Sequence, residues 1–400
     1  MRHWTRAMSQ ASFACLCVVG SLVIAPRDAR AQSIGAGLAT LLTEQTPPPP
    51  GYVRDRAAAE ATFSTVASLF QVELANLPLT SPSGGFVYRF SPTFGTVERA
   101  SDSFGPFYTE RTLRSGRRQL SLGLTYEFAT FSTLQGADLE PGTFPTNTAR
   151  FAGQLQPFSI DTLSLTLDAD TVSTFASYGV NDRLDVAVAI PITRVRFFGR
   201  RENSFLGQTT LQSARNGSAT GVGDTTVNAR YLLTTSSRAA VALGSDLRLP
   251  TGREEDLLGT GKTAWRLLGI ASWQRPRLEL TANGGFGVGG VSREGFWSGA
   301  ASYTPGLRVT VVGELMGRYL ANLHRVSDVY EPHPVLAGVE TMRWLPEDGG
   351  THIASMATGV KWNPEGNWIV SAHLLTRLTE TGLRARFTPG IAVDYAVAIR

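Results

Sequence analysis

Cysteine and lysine are both scarce in this sequence. The two cysteines are Cys15 and Cys17, and the two lysines are Lys262 and Lys361. Because no cysteine follows residue 17, the later chain can hold no disulfide, no thiol nucleophile and no cysteine-based metal site.

Long apolar runs are also missing after the N-terminal region. Residues 11–25 form an apolar run of 15 residues after a basic start, and the small-residue triplet Ala29-Arg30-Ala31 follows them. This pattern predicts a secretory signal peptide over residues 1–31, cleaved between Ala31 and Gln32, because the run is shorter than the roughly 20 residues of a membrane anchor. Beyond residue 31 no apolar run approaches about 18 residues, so transmembrane helices are not expected. A large exported protein without disulfides is typical of a self-sufficient sheet.

An excess of charge of one sign is absent once the predicted signal peptide is removed. Four of the 37 basic residues and one of the 33 acidic residues fall within it, which leaves 33 basic and 32 acidic side chains. Such a chain lacks the basic footprint of a nucleic-acid-binding protein, so nucleic acid is not expected as a partner. The mean hydropathy of −0.04 fits a membrane barrel and a soluble protein equally well.

What the sequence does contain is a repeated alternation of apolar and polar residues. In the stretch 178–192, apolar side chains occupy every second position from Leu184 to Ile192, and Asp185 falls on the opposite face. Period two predicts β-strands with two unlike faces. Thirteen such segments are predicted, over residues 120–128, 163–179, 183–197, 223–233, 239–249, 263–274, 277–288, 298–304, 306–317, 333–345, 353–362, 367–377 and 386–399.

The connections between these segments alternate in length. Short turns at 181–182, 234–238 and 275–276 are interleaved with longer loops at 198–222, 250–262 and 289–297. Outer-membrane barrels have this alternation and an even number of strands. We therefore predict an all-β, antiparallel transmembrane β-barrel over residues 119–400, with about 12 strands if 298–304 merges with its neighbour. Adding Phe86–Phe90 gives the alternative of about 14 strands.

Charged residues fall on the polar face of the predicted strands. A soluble sandwich would turn the apolar alternates inward, whereas a barrel turns them towards lipid and lines its lumen with the polar ones. In the barrel interpretation Asp185 points into an aqueous lumen near the periplasmic mouth and marks no active site. The candidate lumen-lining residues are Asp185, Arg230, Asp246, Arg248, Glu279, Arg308, Glu314 and His373.

Aromatic placement and the last strand favour the barrel. Trp265 and Trp273 share a face and lie roughly 26 Å apart along a strand, which is the scale of the band between two aromatic girdles once the strand is tilted. An alternating strand at 391–399 should close the barrel and be recognised by barrel-assembly machinery. The ending Ile399-Arg400 departs from the usual final aromatic residue.

Residues 32–118 follow a different pattern. Thr43–Tyr52 has the composition of an extended, proline-rich linker. Residues 57–70 have the apolar spacing of a short amphipathic helix. We predict that this region is a linker with a plug, formed by the helix or by Gly84–Phe90, that fills the lumen.

Four motifs occur in one order along the chain. They are YGVNDRLDVAVAIP at 178–191, GVGDTTVNARYLL at 221–233, DLRLPTGREEDLLGTG at 246–261 and PGIAVDYAV at 389–397. Together they resemble the outer-membrane barrel family named for the MetA pathway of phenol degradation, over roughly residues 170–400. The resemblance implies a channel for hydrophobic or aromatic compounds, and it brings no catalytic residue or cofactor. Gly221, Gly223 and Asp224 are expected to be architectural, since a long loop re-enters a strand there.

Other suggestive motifs are predicted to be structural. GTGKT at 259–263 lacks the first glycine of a phosphate-binding loop, and no helix follows the glycine-rich stretch 285–290. The cluster of His324, Asp328, Glu331 and His333 is interpreted as a loop without a metal. His373 shares a strand with Ser371 but has no evident orienting partner, so neither a catalytic site nor a cofactor is predicted.

These patterns favour a passive channel in the outer membrane of a Gram-negative-type bacterium. Its partners would be outer-membrane lipid and small hydrophobic or aromatic molecules, and no enzymatic activity is expected. The alternative is a structural or surface-display barrel without transport, and a remote alternative is a membrane-embedded hydrolase.

Overall fold

The N-terminal region contributes two helices. The fold is taken from a computed structural model that describes residues 33–45, 52–75, 79–82, 85–91, 96–99, 101–112, 116–321, 326–347 and 349–398. The predicted signal peptide, with Ala31 and Gln32, and residues 46–51 of the predicted linker lie outside these ranges. Helix α1 spans Ile34–Thr43, and helix α2, which contains the predicted amphipathic helix, spans Arg56–Ala75. Neither is long and apolar enough to cross a membrane.

Side-chain caps explain where the two helices begin. The hydroxyl of Ser33 accepts a hydrogen bond from Ala36 N at 3.2 Å, and the carboxylate of Asp55 accepts one from Ala58 N at 3.0 Å. Both caps satisfy an amide that the first helical turn would otherwise leave without a partner.

Most of the rest of the described chain is β-structure, apart from loops and a short 3-10 helix at Glu254–Asp256. The strands are β1 Tyr88–Ser91, β2 Thr96–Arg99, β3 Gln119–Leu134, β4 Ala137–Asp138, β5 Phe144–Pro145, β6 Ala149–Phe151, β7 Pro157–Gly179, β8 Leu184–Phe205, β9 Gln208–Val222, β10 Thr225–Thr235, β11 Ala239–Leu249, β12 Ala264–Arg275, β13 Leu278–Gly289, β14 Glu294–Gly306, β15 Val309–Leu320, β16 Val326–Pro332, β17 Val339–Pro346, β18 Thr351–Trp362, β19 Trp368–Arg377, β20 Leu383–Ala385 and β21 Phe387–Ala398.

Twelve of these strands close into an antiparallel barrel. The ring runs β3–β7–β8–β10–β11–β12–β13–β14–β15–β18–β19–β21, and β21 pairs back onto β3 from Gly390↔Glu127 to Ala398↔Gln119. Closure removes the edge strands that would otherwise expose unpaired backbone groups. The predicted barrel of about 12 strands is confirmed, and the alternative of 14 is wrong.

The surplus predicted segment was misplaced. Segments 298–304 and 306–317 are separate wall strands, β14 and β15, so merging them was wrong. The segment at 333–345 instead contributes to a hairpin of β16 and β17, while β15 pairs directly with β18. Segment Phe86–Phe90 is not a wall strand either, since β1 pairs only with β2 in a separate two-stranded sheet.

The apolar alternates of the wall face outward. Val186 and Ile190 on β8 are each 38% exposed, whereas Asp185, which precedes Val186 on the opposite face, is 1% exposed. The same arrangement continues around the ring, and exposed apolar side chains include Val227, Leu243, Leu280, Val311, Leu315, Val360, Val370 and Ile391. A soluble sandwich would bury these residues, so the exposed apolar surface distinguishes the two architectures.

Connections at the two ends of the barrel differ. Short turns join β7 to β8, β10 to β11, β12 to β13, β14 to β15 and β18 to β19, and we call this end the short-turn end. The opposite, long-loop end carries the β8–β9 hairpin, residues 250–263 and the β16–β17 hairpin. Two groups of outward aromatic residues follow these ends, with Trp273, Tyr303, Trp362 and Trp368 at the first and Trp265, Phe286, Trp297 and Tyr319 at the second.

The main hydrophobic core lies at the long-loop end. Leu38 and Leu41 of α1 and Phe70 of α2 pack against inward residues such as Leu165 of β7 and Phe197 of β8. An added Cβ at Gly37 would approach the Phe197 ring to 2.7 Å, so only glycine allows this close packing. The helices therefore occupy the interior on the β7–β8 side at this end of the barrel.

Candidate functional site in the barrel lumen

Residues 79–82, 85–87 and 101–112, which we call the plug segment, lie in the lumen. In the chain they come between the helices and β3, which begins at Gln119 at the short-turn end. Contacts with the wall occur along its described length, from Thr80 beside Thr125 at 3.0 Å to Thr112 N donating to Ser272 at 3.2 Å. The helices fit the plug expected from the sequence, and the extended segment makes further contacts with the wall.

A buried ion pair holds the C-terminal part of the plug segment. Arg111 donates from Nε and Nη2 to the two carboxylate oxygens of Glu279 on β13, at 3.0 and 2.6 Å. Arg111 is fully buried and Glu279 is 2% exposed. This two-point geometry fixes both the position and the orientation of the guanidinium.

Glu314 on β15 holds the backbone of the same segment. Its carboxylate accepts hydrogen bonds from the amides of Phe107, Tyr108 and Thr109, with 3.1 Å to Tyr108 N and 2.9 Å to Thr109 N. Nearby, Lys361 Nζ on β18 donates to Pro106 O at 2.7 Å. Two wall charges therefore bind main-chain groups of the plug segment.

His373 belongs to a polar cluster with the plug segment. Tyr108 donates its hydroxyl hydrogen to Glu127 of β3 at 2.6 Å, and His373 Nε2 lies 2.8 Å from that hydroxyl and 3.2 Å from Glu127. This carboxylate partner could not be predicted, because Glu127 and His373 are far apart in the chain and meet only through barrel closure. Their contacts to Tyr108 anchor the plug segment.

Asp185 also reaches the plug segment through Arg230. In register across β8 and β10, Asp185 faces Arg230, and Asp185 Oδ2 lies 3.8 Å from Arg230 Nη2. Arg230 Nη1 lies 3.3 Å from Glu110 and donates to Arg111 O at 3.1 Å. The carboxylate thus faces the interior and helps to position a cation that binds the plug segment.

Seven of the eight candidate lumen-lining residues lie on the inner face of the wall. Arg308 does not join them, because it lies exposed in the turn between β14 and β15, where its guanidinium donates to Pro364 O at 3.4 Å. Arg308 continues the spacing of the inward residues of β15, but β15 begins one residue later, at Val309. The alternating pattern therefore does not fix the direction of Arg308. The seven inward residues are Asp185, Arg230, Asp246, Arg248, Glu279, Glu314 and His373.

A cavity of about 230 Å³ remains beside the plug segment. Its wall is formed by β8, by β10 to β15 and by β18 and β19, and its other side by Glu73 of α2, residues 79–82, Tyr108 and Glu110. Three arginines of this wall, Arg248, Arg266 and Arg318, also line a second hollow that extends to Gly290 and Val291 at the long-loop end. We call these three residues the arginine wall.

Sequence reasoning missed Arg266 and Arg318 as lumen residues. Arg266 Nε donates to Glu294 of β14, and Arg318 Nε lies 3.7 Å from the other oxygen of that carboxylate. Arg318 follows Glu314 by four positions and so shares its inward face. The alternation therefore indicates that Arg318 points inward, but the predicted strand ended at residue 317 and did not include it.

The motif at 246–261 folds into a clasp loop, residues 250–263. Asp224 accepts hydrogen bonds from Gly252 N at 3.1 Å, Thr260 N at 2.9 Å and the Thr260 hydroxyl at 2.8 Å. The loop binds the helices in turn, since Ile34 N donates to Asp256 at 3.4 Å and Gln71 donates to Glu254 at 2.8 Å. These contacts give the motif an architectural role.

The remaining suggestive motifs have structural surroundings. GTGKT lies in the clasp loop, and Gly285 and Gly287 lie within β13. His333 binds main-chain groups, with Nε2 2.8 Å from Val53 O and Nδ1 accepting from Leu336 N at 3.0 Å. His324 lies outside the described residues.

Solved barrel structures are similar to this chain at low sequence identity. An outer membrane channel from Pseudomonas putida F1 is 12% identical, with a TM-score of 0.44, over 76% of this chain and 100% of that one. The KdgM porin is 12% identical, with a TM-score of 0.36 over 59% and 98% of the two chains. A deltaS2S3 mutant of the TodX monoaromatic hydrocarbon channel is 11% identical, with a TM-score of 0.34 over 81% and 98%.

The family comparison concerns the middle of the chain. No curated protein matches the sequence. The sequence model of the family described as "Putative MetA-pathway of phenol degradation" matches residues 146–327, which confirms over these residues the family resemblance seen in the motifs.

Proposed function

We propose that this protein is an outer-membrane channel through which small hydrophobic or aromatic molecules diffuse passively. The observation that carries the proposal is the combination of a closed barrel, an apolar outer surface and a charged interior with a cavity. Lipid would cover the outer surface, and the backbone of the closed ring leaves no edge unsatisfied in it. The family description supports aromatic compounds as the substrate class.

The two ends suggest an orientation. Outer-membrane barrels place short turns in the periplasm and long loops outside the cell. The short-turn end would then face the periplasm, with Asp185 near its mouth, and the helices would lie at the external entrance. Trp273 and Trp265, at opposite ends of β12, would reach the two membrane interfaces, where aromatic side chains are favoured.

Transport would require a path beside the plug segment. The cavity and the hollow behind the arginine wall approach the long-loop end, while the plug segment fills the short-turn end. A solute would therefore enter by the hollow and leave when the plug segment shifts. Diffusion down a concentration gradient supplies the driving force, so no energy source is required.

Fractionation and flux measurements test the proposal. We expect the full chain in the outer-membrane fraction, with a heat-dependent shift on gels, and faster uptake of phenol into liposomes that contain it than into empty ones. Soluble protein, or folded protein in liposomes without added uptake, would contradict the channel.

A structural barrel without transport is the second candidate. The buried Arg111–Glu279 pair and the hydrogen bonds from three plug-segment amides to Glu314 favour it, since they hold the plug segment in the lumen by contacts that are costly to break. Liposomes separate the two functions, because a permanently closed barrel admits no phenol. No hydrolase is proposed, since the contacts of His373 are those of a plug anchor.

A further inference from the structure

The arginine wall lies beside an apolar patch of the cavity surface. Arg248, Arg266 and Arg318 come from β11, β12 and β15, and Leu268, Phe296 and Met316 lie on the same cavity surface. The Arg266 guanidinium carbon lies 5.4 Å from the centre of the Phe296 ring. The cavity therefore offers positive charge beside a flat apolar surface.

The cations are more accessible than the carboxylate between them. The side chains of Arg266 and Arg318 are 30% and 21% exposed, whereas that of Glu294 is 8% exposed. Arg318 Nε has no hydrogen-bond acceptor among the described residues, since Glu294 Oε2 lies 3.7 Å away. An anion in the cavity would meet the guanidinium groups before it met Glu294.

Glycine on the intervening strand makes this arrangement possible. Gly287 of β13 lies between Arg266 and Glu294 in the register, and an added Cβ there would approach Glu294 Cγ to 2.9 Å and Arg266 Cγ to 3.1 Å. At Gly285 an added Cβ would approach the Phe296 ring to 2.9 Å. The two glycines therefore keep both the ion pair and the ring in place.

The other carboxylates of the cavity are engaged elsewhere. Glu73 accepts two hydrogen bonds from Arg377, at 2.9 and 3.0 Å, and Glu110 lies 3.3 Å from Arg230. Asp246 accepts a hydrogen bond from Asn228 at 2.8 Å. Arg266 and Arg318 thus share one carboxylate, Glu294, which balances only part of their positive charge.

We infer that the arginine wall binds the carboxylate of a small aromatic acid, whose ring lies against Leu268, Phe296 and Met316. Guanidinium groups bind carboxylates through paired, charge-assisted hydrogen bonds, and a cavity of about 230 Å³ offers room for a single-ring acid. The inference rests on the proposed channel and narrows its substrates to aromatic monocarboxylates over their neutral analogues.

Binding of benzoate and benzamide to the purified full-length protein in a nonionic detergent tests this inference. The two probes have the same ring, but only benzoate carries a charge, so calorimetry should give a benzoate affinity at least about tenfold higher. Arg318→Gln should reduce benzoate affinity by about tenfold and leave benzamide unchanged, and Arg318→Lys should give an intermediate loss. Arg308→Gln, in the exposed turn, is the matched control and should bind as the wild type does.

The binding measurements test the inference without any measurement of transport. Equal affinity for benzoate and benzamide, or an Arg318→Gln variant that shifts normally on gels and binds benzoate as the wild type does, would overturn it. Liposome uptake of both probes then separates the two proposals. Flux of phenol and benzamide without a preference for benzoate would leave the channel standing, whereas benzoate binding without flux of any probe would remove the channel alone.

Discussion

Specific partners stabilise several of the charged side chains inside the barrel. Burying an ion costs several kcal/mol unless good geometry compensates for the lost water, and the two-point contact of Arg111 with Glu279 gives that geometry. Asp185 shows which of these interior contacts can be predicted from the sequence. Its inward direction follows from period two, and Arg230 lies opposite it across the strand pair. The approach of Glu110 to Arg230 could not be predicted, because it depends on how the plug segment lies in the lumen.

Glu279→Gln should loosen the plug segment. The substitution keeps the size of the side chain but leaves the buried Arg111 without its counter-charge, which costs about 3–5 kcal/mol. We expect faster hydrogen–deuterium exchange of the amides in residues 101–112, measured by mass spectrometry. The matched control is Glu340→Gln, whose half-exposed pair with Arg150 should contribute about 0–1 kcal/mol. Equal exchange in the two variants would contradict the anchoring role of Glu279.

The sequence predicts which segments form wall strands better than it predicts where those strands end or which segments form loop hairpins. Period two located all twelve wall strands, but the predicted ends of β7 and β8 fell short, since these strands run over Pro157–Gly179 and Leu184–Phe205. A membrane crossing needs about 9–11 residues, and beyond it neither face meets lipid, so the apolar signal fades while the pairing continues. At 333–345 the alternation predicted a wall strand, whereas the structure has part of a loop hairpin there. A loop hairpin with one buried face alternates with the same period as a wall strand.

Asp224→Asn should release the clasp loop and, with it, the start of α1. One carboxylate oxygen would become an amide that donates, and it would then face the donors Gly252 N or Thr260 N. Leaving such groups unsatisfied costs about 1–3 kcal/mol. We expect faster hydrogen–deuterium exchange in residues 250–263 and 34–43, with little change in β3. Asp182→Asn, in an exposed turn at the opposite end, is the control, and a clasp loop that exchanges as slowly as in the control would sink this assignment.

At the scale of the whole molecule, one surface chemistry faces outward and another faces the lumen. The architecture could be predicted from the sequence because each strand of a closed sheet has one outward and one inward face. The alternation, the turn lengths and the charge all indicate the same barrel. The path of the plug segment could not be predicted from the sequence. Its residues carry little periodicity, and their position depends on single contacts such as Glu314 with three backbone amides.

Locking the plug segment to the wall tests whether transport requires it to move. The Thr80 and Thr125 hydroxyl oxygens lie 3.0 Å apart, and both residues are buried, so a Thr80→Cys/Thr125→Cys pair should form a disulfide with little rearrangement. If the predicted signal peptide is removed, the two new cysteines are the only ones present. We expect phenol uptake into liposomes to fall at least about tenfold on oxidation and to recover on reduction, because the short-turn end would stay closed. Each single-cysteine variant should show no such redox dependence. Uptake that is equal in the oxidised and reduced double variant would show that solutes pass a stationary plug segment.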